Sequence, residues 1–297
     1  GGEGTVISVE APGVTIEALL VTGSGSSLDQ ENSGIAVGAP DARIVGNRLD
    51  DTLFGIYLRK APGSAVRGNR IVGKPLPLPR RGDAIRIWYS HHVEVADNTI
   101  QRGRDVVLWY SEHLNVHDNR VSDGRYGLHF MYCDDAVIER NHLSGNSVGA
   151  FLMYSRRLRM YRNLITGNRG PSGYGVGLKD MDDAEVVDNL FADNRTGMFL
   201  DNSPRQIDST MTTTGNLFAY NDVGVGVMPS VRRNRFVANS FVDNWQQVSV
   251  EGGGRLKGND WQGDRQGNYW SDYVGYDQDG DGLGDLAYRA DKLFEVL

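Results

Sequence analysis

The chain has 297 residues, 39% of them hydrophobic and only 9 of them proline against 38 glycines, which suits a folded protein with many tight turns and excludes a disordered one. A formal net charge of −7 supplies no basic stripe for phosphate backbones, so nucleic acid is excluded as a partner. No apolar run reaches the length of a membrane span and no signal peptide opens the chain; a start at Gly1 without methionine leads us to expect a processed or trimmed species of an exported precursor.

Strand patterning begins almost at once, and a repeat dominates the chain. Asparagines recur at Asn47, Asn69, Asn98, Asn119, Asn141, Asn163, Asn189, Asn216, Asn239 and Asn259, at intervals of 22, 29, 21, 22, 22, 26, 27, 23 and 20 residues. The base period is therefore about 22, with loop insertions, of which the polar, proline-rich KPLPLPR at 74–80 is the largest. Within each period the apolar residues alternate, as in IRIWYSHHVEVADNTI (85–100) and LHFMYCDDAVIERNHL (128–143). Alternation is the signature of short strands, and no segment of helical period has useful length. The pattern predicts an all-β chain folded as a right-handed parallel β-helix of about 10–11 rungs. One asparagine per rung would sit at an inner bend, where stacked amides can bond one another. A leucine-rich repeat shares the period but would need helices and a leucine signature. We expect the β-helix over residues 1–266 and a C-terminal capping segment over 267–297, packed on the same domain.

In this register the residues of opposite parity to the core point outward, and equivalent positions stack about 4.8 Å apart. One outward column reads Trp88, Trp109, Met131, Met153, Lys179 and its neighbour Arg86, Val107, His129, Phe151, Gly177. Two readings stay open. The face is a docking patch for a partner, with Trp88, Trp109 and Phe151 as its anchors. Alternatively His129, Met131, Met153 and Cys133 hold a soft cation, Cu(I), since thioethers, thiolates and imidazoles are the ligands such an ion selects. Cys133 is the chain's sole cysteine and aligns with Ser90, Ser111 and Ser155 at the strand end, so it forms no internal disulfide.

The turn columns His91/Glu112/Asp134/Arg156/Asp182 and His92/His113/Asp135/Arg157/Asp183 alternate in sign and are expected to be solvated ion pairs. His117 and His142 have no partner visible in the sequence. Asp134/Asp135 and Asp182/Asp183 lie two rungs apart, near the wide end of the carboxylate separation of an inverting glycosidase. Arg156 and Arg157 intervene and should keep these acids ionised, the wrong direction for a general acid. The chain is expected not to be an enzyme; the alternative is a carbohydrate-binding or polysaccharide-modifying β-helix protein, a hydrolase, lyase or epimerase.

After Asn259 the repeat breaks into GNYWSDYVGYDQDGDGLGDLAYR (267–289). Asp277, Asp279, Asp281 and Asp285, with the Leu283 carbonyl, match the ligand positions of a calcium loop, although Tyr288 stands where an EF-hand has glutamate. A calcium site and a plain acidic turn both remain open.

The run Gly267-Asn268-Tyr269-Trp270-Ser271-Asp272-Tyr273, followed by DQDGDGLGD and Tyr288 and preceded by rungs of the WYS/MYS type, resembles the NosD family, periplasmic β-helix proteins of nitrous oxide reductase maturation. The likeness covers nearly the whole chain; Ala287 departs from it where proline is expected, and the ends look short, so that a cap or a tail docking a membrane subunit is expected to be missing. It implies a periplasmic partner of the NosF/NosY ABC transporter that takes copper from the chaperone NosL and serves nitrous oxide reductase, NosZ. It supplies no ligand motif matched residue by residue, and the copper ligands named above rest on the repeat alone.

Overall fold

A computed structural model describes residues 2–254, 256–263 and 266–290. Three parallel sheets of 11, 10 and 11 strands run its length, each strand pairing with its equivalent one coil later. Consecutive strands along the chain fall in different sheets, so the chain winds as a parallel β-solenoid, as the alternation predicts. Among the described residues the one helical element is a single 3-10 turn, Leu78–Arg80, in the proline-rich insertion.

The core is a set of inward columns such as Ile87, Leu108, Phe130, Leu152 and Leu178, all buried. Toward the C-terminal end the filling becomes aromatic. Phe191, Phe218, Phe241, Trp270 and Tyr288 stack with ring centres 5.0, 5.0, 4.3 and 4.2 Å apart, so the C-terminal segment closes the core with its own rings. Flat rings at the strand spacing satisfy both the packing density and the offset geometry that aromatic pairs prefer.

The asparagine column stacks as expected from Asn47 to Asn239. From Asn69 on, each Oδ1 accepts from the backbone N–H and the amide of the asparagine one coil earlier, as Asn141 does from Asn119 at 3.1 and 2.9 Å. The residue before it is left-handed, for example Asp97 at φ 57° and Asp118 at φ 58°. Aspartate and glycine tolerate that region better than most side chains, and one or the other precedes six of the nine asparagines from Asn47 to Asn239. One correction applies at the end of the series. Asn239 stacks on Asn268, while Asn259 stacks under Asn234 in a neighbouring column. The irregular loop after Val250 breaks the period, so a step of 20 residues lands at the wrong corner. A second column escaped the sequence reading altogether: Asn146, Asn168, Asn194, Asn221 and Asn244 bond in series at the next bend. Strand Tyr269–Trp270 pairs with Ser240–Val242, so the third sheet runs on past residue 266 into the segment assigned to the cap. Residues 291–297 of that segment lie outside the described residues.

Candidate functional site

The first sheet presents the outward columns in the predicted register. Trp88 pairs with Trp109, Trp109 with Met131, Met131 with Met153 and Met153 with Lys179. Beside them Arg86 pairs with Val107, Val107 with His129, His129 with Phe151 and Phe151 with Gly177. Trp88, Trp109, Met131, Phe151 and Met153 are half-buried rather than freely solvated.

His129 departs from the expectation of a solvent-facing ligand, with 7% of its surface exposed. The edges of Trp109 and Tyr126 close around it, at ring-centre distances of 5.3 and 4.9 Å. Its Nδ1 lies 3.6 Å from Asp105 Oδ2, too long for a full hydrogen bond, and has no other partner. Large neighbours on an outward face thus build a second layer of burial that parity alone does not show. Asp105 is itself buried, and burial opposes its charge. The imidazole and the paired Arg125 guanidinium outweigh that, so its carboxyl stays below the usual carboxylate range.

Cys133 is not brought to this face. Its side chain turns inward with Ser90, Ser111 and Ser155. The thiol donates to the Leu108 carbonyl at 3.0 Å, and the Cys133 N–H donates to Ser155 Oγ at 2.8 Å. Burial pushes the thiol up to about 12, so no thiolate is available near neutral pH. The strand ends at Met131, two residues before it, and the turn rotates that position into the core.

The site also contains residues the sequence reading did not single out. Asp83 is buried one strand before Asp105, with Arg104 at 3.1 Å from its Oδ1. Desolvation pushes its carboxyl up to about 6 despite that arginine. Arg86 reaches Glu31 at 2.8 Å, on the loop between Leu20–Thr22 and Ser33–Val37. A charged residue in an aromatic column, and the Gly-Asp and Gly-Arg-Asp pieces at 82–83 and 103–105 at the start of successive strands, were the available signals.

Next to the tryptophan and methionine column, Tyr89, Tyr110, Tyr132 and Tyr154 form a stack with ring centres 5.0, 5.1 and 5.1 Å apart. At the following turn His92 stacks on His113 at 4.8 Å, and Arg157 grips Asp135 through two bonds of 2.7 Å. Asp182 differs from the solvated pair expected of it. It is buried and accepts from the Arg205 and Gln206 N–H groups at 2.9 and 2.7 Å. His117 finds Asp118 at 2.7 Å and Glu94 at 3.2 Å.

In the C-terminal loop, Asp277, Asp279 and Asp281 gather one carboxylate oxygen each within 4.8 Å of one another. Asp277 accepts from the Gly280 and Gly282 N–H groups at 2.7 and 2.9 Å; the Gly282 bond is the main reason its pKa is lowered. Asp285 instead binds the Gln278 N–H at 2.7 Å, and the Leu283 N–H donates to Asp281.

Known proteins share this architecture. Residues 67–275 match the family model described as "Periplasmic copper-binding protein (NosD)". The chain belongs to the NosD family. It is 31% identical over 317 aligned positions to the "Probable ABC transporter binding protein NosD" of Pseudomonas aeruginosa, covering 100% of this chain and 71% of that one. The protein of the same description from Stutzerimonas stutzeri is 30% identical, with 70% of its length covered. Solved structures share the solenoid. The DFA-IIIase of Arthrobacter chlorophenolicus A6 has a TM-score of 0.54 at 18% identity, covering 88% of this chain and 69% of that one. A double mutant of the periplasmic alginate epimerase AlgG has a TM-score of 0.53 at 11% identity, covering 89% and 70%. At such identities these enzymes share the fold with this NosD-family chain and nothing more. No helix among the described residues is long and apolar enough to cross a membrane.

Proposed function

We propose that this chain is a periplasmic accessory protein of an ABC transporter, binding Cu(I) delivered by a chaperone and supporting the copper sites of nitrous oxide reductase. NosF and NosY are the transporter subunits, NosL the donor and NosZ the client in this proposal. The observation that carries it is the pairing of Met131 with Met153 on adjacent strands of the outward face, with the His129 imidazole in the next column and its Nδ1 unpartnered. Two thioethers and an imidazole suit a soft monovalent ion. Asp105 lies 3.6 Å behind Nδ1, where a small shift of the ring on metal binding would let the carboxylate accept from Nδ1–H and leave Nε2 for the metal. Trp88, Trp109 and Phe151 then frame the ion as the docking surface for donor and client. Cys133 is left out of the ligand set.

Binding rather than catalysis is supported by the turn carboxylates, since Arg157 is held by Asp135 and Arg156 lies 3.5 Å from Asp183. For the C-terminal loop we propose weak Ca²⁺ binding through Asp277, Asp279 and Asp281, with Asp285 and the Leu283 carbonyl joining after local rearrangement. A rise in melting temperature on adding calcium to chelator-treated protein tests it; no rise means an acidic turn held by its own backbone.

The deciding experiment is Cu(I) competition titration of wild type against the double substitution Met131→Leu/Met153→Leu. Loss of at least tenfold in affinity supports the site. Equal affinity would leave the face as a docking patch and place the metal elsewhere.

A further inference from the structure

Arg86 stands at the centre of a group of buried polar atoms whose hydrogen bonds are unmade. Its guanidinium carbon lies 5.3 Å from the ring centre of Tyr57, 5.6 Å from Trp88 and 5.8 Å from both Trp109 and Phe54. Arg86 Nε, Trp88 Nε1, Trp109 Nε1 and the Tyr57 hydroxyl are all buried without a partner. Arginine and tryptophan nitrogens only donate, and the phenol donates readily. Native interiors leave few such groups unpaired, so four around one positive charge ask for a shared acceptor. A carboxylate fits: it is anionic, has two oxygens with about four lone-pair directions, and forms charge-assisted bonds with guanidinium.

The chain already places one carboxylate here. Glu31 Oε1 meets Arg86 Nη1 at 2.8 Å, from a half-buried position on the surface loop before Ser33–Val37. It satisfies a single nitrogen and leaves Nε and both indoles unpaired. A longer-reaching or freely oriented carboxylate would do better.

We propose that Arg86, Trp88, Trp109 and Tyr57 form a binding site for the carboxylate of an incoming ligand, with Glu31 as its built-in occupant in the free protein. The rings around the guanidinium suit a ligand whose carboxylate sits next to an apolar or sugar C–H face. This site uses neither Met131 nor Met153 and stands or falls separately from the copper proposal. The charged and titratable groups facing it are Glu31, Asp83, Asp105, Arg104, Arg125, Arg59 and His129, besides Tyr57 and Arg86 itself. Of these, Asp83 lies nearest behind the guanidinium, its Oδ2 3.8 Å from Arg86 Nε and unpartnered. Protonated, it stops repelling the ligand and gains a proton to donate. Binding therefore strengthens as pH falls from 7.5 to 5.5.

The test is calorimetry and tryptophan fluorescence with D-glucuronate and with acetyl-glutamate amide, at both pH values, on wild type, Glu31→Gln and Arg86→Gln, each checked for native circular dichroism. Glu31→Gln should bind at least one probe at least tenfold tighter than wild type, and Arg86→Gln should bind neither. Preference for glucuronate identifies a sugar acid as the ligand class; preference for the glutamate derivative identifies an acidic protein side chain. If folded Glu31→Gln binds neither probe at millimolar concentration, or if Arg86→Gln binds as well as Glu31→Gln, the proposal is overturned and the unpaired atoms hold water only.

Discussion

Two regions of the solenoid bury polar side chains, and they do so in opposite ways. At the asparagine bend each amide is fully engaged, with Asn141 bonded to Asn119, Asn163 and the Val116 carbonyl. Around Arg86, on the outer face of the first sheet, Tyr57, Asp83, Arg86, Trp88, Trp109 and His129 each keep a buried polar atom without a partner. Since an unpaired buried group costs roughly 1–3 kcal/mol, the first arrangement stabilises the coil and the second is maintained at the expense of stability. Satisfied columns specify architecture; the unsatisfied cluster is the one that the proposed carboxylate site would complete.

The contrast can be broken most sharply at the bend. Asn141→Leu should lower unfolding free energy by about 3–5 kcal/mol in a denaturant titration, because it strands the Asn119 N–H and removes partners from the Asn119 amide and the Val116 carbonyl together. A loss below about 1 kcal/mol would mean that the column is ornamental. Asp83→Asn should act in the other sense. The folded pKa of Asp83 is raised to about 6, so its contribution to stability is fully present below about pH 4 and is lost as pH rises through about 6. Replacing it should remove that decline, leaving the variant ahead of wild type by up to about 3 kcal/mol at pH 7, from a shift of about two pKa units. Parallel pH profiles for the two proteins would show that Asp83 is compensated. Met131→Leu/Met153→Leu should cost less than about 1.5 kcal/mol per site, so that any larger effect on Cu(I) binding is chemical rather than structural. Cys133→Ser should change stability by about 1 kcal/mol or less, as the hydroxyl joins the serine column, and leave Cu(I) affinity unaltered. A tenfold drop in that variant would return the thiol to the ligand set.

The rungs were legible because alternation and a fixed bend residue are properties of the backbone, repeated until chance is excluded. Register came with them, down to the pairing of Met131 with Met153. The second column was equally available, since Asn146, Asn168, Asn194, Asn221 and Asn244 each stand five residues after a bend asparagine. It was obscured because it spans only the later coils: five residues after Asn47, Asn69, Asn98 and Asn119 stand Thr52, Lys74, Gly103 and Gly124. Parity did not foretell the burial of His129, which depends on the bulk of Trp109 and Tyr126, nor the partnership of Arg86 with Glu31, which lies 55 residues earlier in sequence. Long-range pairs between a strand and a loop leave no periodic trace. The C-terminal break was visible as a change of composition, but the return of Asn268 to the column was not, because residues 251–267 carry no strand pattern to count along.

In the bend column every amide points the same way, each Nδ2 toward the oxygen of the next coil from Asn47 through Asn98 to Asn239. Hydrogen bonds in such a series polarise one another, and their dipoles add instead of cancelling as strand dipoles do. The rod therefore carries an electrical direction, oxygen-negative toward its first coils and nitrogen-positive at Asn268, where the last amide donates to the Phe236 and Trp261 carbonyls. The aspartates of the C-terminal loop lie in the segment packed at that positive end, as acidic side chains gather at the amino end of a helix. Each further coil adds one amide to that aligned series, so the polarity of the column grows with the number of coils that keep the asparagine.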